Sequence, residues 1–102
     1  MKVTNTDYFT ADKINPRYNP NLLHIATLQD GDKTYWVCGN LADKISAYYL
    51  RYNPIEGLTE IEEDNEWNEV NSFVSDIGLS NLKAVYERLF DTQQFNLLGL
   101  DQ

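Results

Sequence analysis

Apolar residues recur with two different periods along this chain. Residues 22–29 (LLHIATLQ) and 34–38 (TYWVC) are short runs of aliphatic, aromatic and β-branched residues, the composition of strands. Between them, Asp30-Gly31-Asp32-Lys33 carries a hairpin turn signal. A two-residue turn at Asp30-Gly31 sets His24 opposite Val37, whereas a four-residue turn sets it opposite Gly39. The pattern does not choose between these registers.

From Asn40 the spacing becomes helical. Asn40 is a favoured N-cap residue with Asp43 three positions on, a start resembling a capping box. Leu41, Ile45, Tyr48, Tyr49 and Tyr52 then fall within an arc of about 100° on a helical projection. Pro54 stops this predicted helix at or before Asn53. Trp67, Val70, Phe73, Val74 and Ile77 share a second stripe, predicting a helix that starts at Asp64 as N-cap and ends at Gly78 as C′ residue. Ile61 falls on the opposite side of that stripe, so the helix does not start at Thr59. Ser80 is the expected cap of a third helix, with Leu82, Val85, Tyr86, Leu89 and Phe90 facing inward and fraying near Thr92. Residues 94–100 (QFNLLGL) are apolar enough to dock as a strand or as a helical turn.

The first 21 residues carry less pattern. Val3, Tyr8 and Phe9 suit a short strand or an extended arm, and the two Asn-Pro steps of residues 14–20 (INPRYNP) mark a loop. Arg-Tyr-Asn-Pro occurs at 17–20 and again at 51–54. The flanks differ, which argues against a true repeat. What remains is coincidence, or two similar turns in which a Tyr packs beside an Asn-Pro stop.

These elements predict a small single α+β domain spanning residues 1–102: a β-hairpin, with room for a third strand from either terminus, packed against three helices. The predicted core is Leu23, Ile25, Val37, Leu41, Ile45, Tyr48, Trp67, Val70, Phe73, Val74, Ile77, Leu82, Val85, Leu89 and Phe90. An apolar content of 42% fits a folded chain and not a disordered one.

Charge sharpens the picture. Residues 55–78 contain Glu56, Glu60, Glu62, Glu63, Asp64, Glu66, Glu69 and Asp76 and no Lys or Arg, so the formal charge of −8 resides in this one segment. A pI of about 4.4 argues against direct nucleic-acid binding and against anionic membrane surfaces, both of which need Lys and Arg. It suits a protein partner with a basic surface, reached by electrostatic steering. Solubility alone is the plainer explanation of the same charge. Cys38 is the single cysteine, so no intrachain disulfide forms, in keeping with a reducing cytosol. The first residues lack the apolar stretch of a signal peptide, and no uncharged run approaches the ~20 residues of a membrane span. A cytoplasmic location is the expectation.

Few chemistries find support. His24 and Cys38 fall on paired strands, but no third orienting group accompanies them, and their proximity depends on the unresolved register. One His and one Cys do not complete a zinc site. The Asp30-Gly31-Asp32 turn departs from a calcium loop at its sixth and twelfth positions, Tyr35 and Leu41. No phosphate-binding glycine motif occurs. Acids set among other acids and Asn lack the desolvation that a catalytic carboxyl pair requires. No catalytic residue, cofactor or metal is therefore expected.

The expected function is a non-enzymatic protein-binding module. In its specific form it is a small acidic cytosolic inhibitor or antidote of the phage- or mobile-element type, such as an anti-defence or immunity protein. The candidate partner-binding residues are Glu60, Glu62, Glu63, Asp64, Glu66 and Glu69, with Tyr48, Tyr49 and Tyr52 as aromatic contacts. The alternative is a structural or regulatory subunit that binds through an apolar, tyrosine-rich face.

Overall fold

The computed structural model of the chain describes residues 1–42 and 47–91, with side chains as far as residue 87. Within them, two helices lie on one face of a six-stranded antiparallel sheet, an α+β architecture. Strands β1 (Lys2–Asn5) and β2 (Phe9–Thr10) pair with successive parts of one edge of β3 (Leu22–Asp30). On the other side of β3 follow β4 (Lys33–Asn40), β5 (Tyr48–Asn53) and β6 (Gly57–Glu60). The helices are α1 (Asp64–Asp76) and α2 (Leu82–Asp91).

The β3–β4 hairpin forms where the turn signal lies, with Asp30 opposite Lys33 and Gly31 in the left-handed region at φ +62°. The register anticipated for the longer turn holds from Asp30 to Ala26, and a bulge in β3 then moves His24 from the expected Gly39 to Cys38. His24 lies opposite Cys38 and Ala26 opposite Val37, leaving Ile25 as the extra residue. The bulge turns both Ile25 and Ala26 toward the helices, where they join the aliphatic core. It also places His24 and Thr27, three residues apart, on the opposite face.

The two faces differ in kind. The helical face buries Leu23, Ile25, Ala26, Leu28, Tyr35, Val37 and Tyr49 against Val70 and Val74 of α1 and Leu82, Val85 and Tyr86 of α2. The other face carries Trp36 and Cys38 with Phe9, Leu22, Leu50, Tyr52 and Leu58, and is roofed by Ala11 and Tyr18 of the loop that follows β2. Burial on both sides is what a central strand such as β4 needs.

The α+β class stands, but the predicted three helices and lone hairpin do not match in detail. The helix expected from Asn40 to Asn53 is, over Tyr48–Asn53, strand β5; residues 43–46, with Ile45, lie outside the described residues. Tyr48 and Tyr52 therefore sit on one face and Tyr49 on the other, and no helical stripe unites them. Tyr-Tyr-Leu-Arg-Tyr is a strand-favouring composition, and apolar contacts on both faces hide the period of two.

Of the predicted core, Tyr48, Trp67 and Ile77 remain 37%, 40% and 38% exposed, so they are not interior residues. Leu41 and Phe73 are half-buried against the core. The side chains of Leu89 and Phe90, and the tail at 94–100, lie outside the described residues.

Helix α1 begins at Asp64 with Glu63, not Asp64, in the extended cap position. It ends as expected. Gly78 takes φ +79°, its N–H reaches Ser75 O at 3.1 Å, and Leu79 N–H reaches Val74 O at 3.0 Å. This is a Schellman closure, with Leu79 packed on the core. Helix α2 is capped by Asn81 instead of Ser80: the Asn81 side-chain oxygen accepts the N–H of Ala84 at 3.3 Å.

The repeated Arg-Tyr-Asn-Pro is a pair of similar turns. Asn19 Oδ1 accepts Asn21 N–H at 2.9 Å, and Asn53 Oδ1 accepts Ile55 N–H at 2.8 Å. In each, the Asn side chain reaches past a proline that has no N–H to offer. Tyr18 and Tyr52, the tyrosines of the two copies, both pack on the aromatic face.

Candidate functional site

The geometry of His24 and Cys38 argues against a nucleophilic pair. The kink between β1 and β2 brings the Asp7 carbonyl 2.6 Å from His24 Nδ1, and Thr27 Oγ1 lies 2.6 Å from Nε2. A carbonyl only accepts, so Nδ1 carries the proton and Nε2 accepts from the Thr27 hydroxyl. The ring stacks on Phe9 at 4.3 Å and meets Trp36 edge-on at 4.7 Å. Burial lowers the His24 pKa below its usual 6.5 and pushes the Cys38 thiol up to about 12. Both imidazole nitrogens are thus committed, and the thiol lacks the electropositive setting that makes a nucleophile. His24 acts as a polar rivet in an aromatic row that runs Phe9, His24, Trp36, Tyr52 across four strands.

Among the described residues, no group of three or more His, Cys, Asp or Glu is placed to hold a metal ion, and no helix is long and apolar enough to cross a membrane.

The acidic segment divides sharply. Glu66 faces the sheet, where its Oε2 accepts the Tyr35 hydroxyl at 2.6 Å and lies 3.6 Å from Arg51 Nε and 3.9 Å from Lys33 Nζ. Tyr35 and Arg51 are cross-strand neighbours, and Lys33 projects from the same face of β4. The amphipathic phase of α1 turns this one carboxylate onto them. Burial and the Glu66 hydrogen bond both raise the Tyr35 pKa. Glu66 is therefore part of what docks α1. The other seven acids, Glu56, Glu60, Glu62, Glu63, Asp64, Glu69 and Asp76, are exposed. Among the described residues, none of them makes an ion pair within 4.0 Å. Glu60, Glu62, Glu63 and Asp64 follow one another along the crossover from β6 into α1, and Glu69 lies on the outer side of the helix.

The three tyrosines separate. Tyr49 is buried beneath α1 and donates to Asn71 Oδ1 at 2.8 Å, and burial raises its pKa. Tyr52 stacks on Trp36 on the far face at 5.5 Å. Tyr48 alone reaches the surface near the acids. At the same edge, but on the helical face, lies a residue that the periodicity assigned to the core: Trp67, whose ring meets Tyr49 at 5.3 Å and which stays partly exposed. The signal was its place at the very start of the stripe, in the first helical turn and among acids. Tyr48, Leu50, Glu60, Ile61 and Trp67 line a groove of about 200 Å³ at the point where β6 has ended and β5 runs on.

Fold and surface define a small α+β domain with one acidic, partly aromatic edge. Comparison with models of known families, with curated proteins and with solved structures returns no match.

Proposed function

We propose that this chain is a protein-binding module without enzymatic activity, which presents the acidic crossover of residues 60–69 to a basic site on a partner protein. The observation that carries this reading is the exposure of Glu60, Glu62, Glu63, Asp64 and Glu69, which make no ion pair among the described residues and leave a concentrated negative field near the partly exposed Tyr48 and Trp67. Such a field steers a basic partner and excludes acidic ones. A small cytosolic inhibitor or antidote, of the anti-defence or immunity type, is the specific form of this proposal: the acids span one crossover and one helical turn, a plug for a pocket and not a mimic of a long duplex.

The test is affinity capture from the source cells with wild-type protein and with the triple variant Glu62→Gln, Glu63→Gln, Asp64→Asn. A partner that binds through this surface is retained by the first, lost or weakened with the second, and released as salt rises. A partner indifferent to both changes eliminates the electrostatic reading.

A second reading, a subunit that binds through an apolar face, draws on a different place. Ile55 is 93% and Ile14 50% exposed, and both line a shallow depression beside Pro54, Tyr18 and Tyr52. It predicts that Ile55→Ser abolishes capture and that salt has little effect.

A further inference from the structure

We propose that the outer edge of β6 is a docking line, where an extended basic segment of the partner adds to the sheet as a further antiparallel strand. The inference rests on the acidic-surface reading above and supplies its mode of contact. In β6, Leu58 faces Tyr52, Thr59 faces Arg51 and Glu60 faces Leu50. The Leu58 N–H is directed away from β5, to the Tyr18 hydroxyl at 3.1 Å. Hydrogen bonding along an antiparallel strand alternates between its two edges with a period of two. Thr59 therefore bonds inward to Arg51, and Glu60, like Leu58, turns its N–H and C=O outward. Among the described residues, no strand lies beyond β6, and neither Glu60 group nor the Leu58 carbonyl has a hydrogen-bond partner on that side. The two groups of Glu60 form an open pair, which one residue of an added strand fills with two hydrogen bonds.

Charge selects the occupant. A residue set opposite Glu60 presents its side chain on the same face as Glu60, close enough to interact directly. A Lys or Arg there gives a favourable cross-strand pair, and an acid is repelled. The exposed Glu62, Glu63 and Asp64 continue the negative charge past the end of the strand. A second copy of this chain is a poor occupant, because pairing β6 with β6 brings two acidic crossovers together. Tyr18 blocks the edge at its Gly57 end, so the open stretch runs from the Leu58 carbonyl through Glu60 and suits a short segment. The opposite edge of the sheet, β1, carries Lys2 and no acid, and offers a basic segment no such attraction.

The experiment titrates the full chain at low ionic strength with the capped peptide Lys-Thr-Lys-Thr-Lys-Thr and two backbone-methylated forms of it. One form carries N-methyl groups on its lysines, the other on its threonines, and the charge of all three is equal. Binding is read by calorimetry and by hydrogen exchange of the Glu60 amide. With the lysines on the face of Glu60, their backbone groups point to β6 and those of the threonines point away. The parent and the threonine-methylated peptide are expected to bind and to protect the Glu60 amide. The lysine-methylated peptide binds about fivefold or more weakly and gives no protection. Glu60→Pro removes an N–H that β5 does not use, and lowers the affinity for the parent peptide. Glu60→Gln keeps the N–H and its protection, with weaker binding. Melting curves check that Glu60→Pro folds, and the methylated peptides test the wild-type chain without any substitution.

Equal affinity of the two methylated peptides, or no protection of the Glu60 amide by the parent, would overturn the added strand and leave the acidic-surface reading standing. Protection of the β1 amides in place of Glu60 would overturn the choice of edge. No binding of any of the three peptides at low salt would overturn both readings.

Discussion

The two faces of the sheet are built on different principles. The helical face is aliphatic and closed by two helices whose stripes supply its cover. The other face is a row of rings, with His24 tied at both nitrogens, and its cover is a loop held by specific contacts. Tyr18 is the chief of these: its hydroxyl accepts the Leu58 N–H at 3.1 Å, capping the outer edge of β6. The helical face derives its stability from area and packing density. The aromatic face depends on a few oriented groups, so it responds to pH and to backbone changes that the aliphatic side would tolerate.

Substitutions can break this comparison. The largest effect is expected from Leu23→Ala, which empties a fully buried site beneath the helices and costs about 2–5 kcal/mol in urea unfolding. Its neighbour Leu22 points to the aromatic side and is half-buried, so Leu22→Ala costs less. Equal losses would remove the distinction.

Gly57→Ala follows. Gly57 takes φ +80°, and an added Cβ would collide with the Tyr18 hydroxyl, so the variant pays both backbone strain and displacement of the loop. About 2 kcal/mol is expected, against about 1 kcal/mol for Gly31→Ala, where the left-handed backbone faces open space.

Glu66→Ala leaves the buried Tyr35 hydroxyl without its acceptor and costs about 1–3 kcal/mol. Glu63→Ala, three residues earlier and exposed, stays within about 0.5 kcal/mol by the same measurement.

The smallest effect is a pH dependence carried by His24. Its folded pKa lies below 6.5, so the unfolded chain takes up a proton that the buried ring resists. Stability from this group is fully present above pH 6.5 and declines as pH falls toward the ring's lower folded value. Urea unfolding between about pH 5.5 and 7.5, above the ordinary carboxylate range, isolates it, and His24→Gln should flatten the slope.

Much of the architecture is legible in the chain. The β3–β4 hairpin announces itself through Asp30-Gly31 between two strand-like runs. Helix α1 reads from Trp67 to Ile77 because its helical period is continuous and Gly78 ends it. Strand β5 is obscured because Tyr48, Tyr49 and Tyr52 fit a helical arc as well as they fit a strand covered on both sides. The bulge at Ile25 leaves no trace in a run where every neighbour is apolar. The acidic crossover stands out by charge alone, but charge cannot tell Glu66, which a half-turn of helix delivers to Arg51 and Lys33, from Glu62 or Glu63, which meet water. Trp67 looks like core because the stripe includes it. Only the sheet's edge shows that α1 overhangs β5 there and leaves the ring half open.

The proposed role of the acidic crossover is to drive association with a basic partner. The most direct measurement is the association rate of the captured partner with wild-type protein and with the Glu62→Gln, Glu63→Gln, Asp64→Asn variant, between about 0.02 and 0.15 M ionic strength. Steered association predicts a fall of about tenfold or more for the wild type across that range, with a slower rate and a flatter salt dependence for the variant. Rates that coincide for the two proteins and do not change with salt would contradict it.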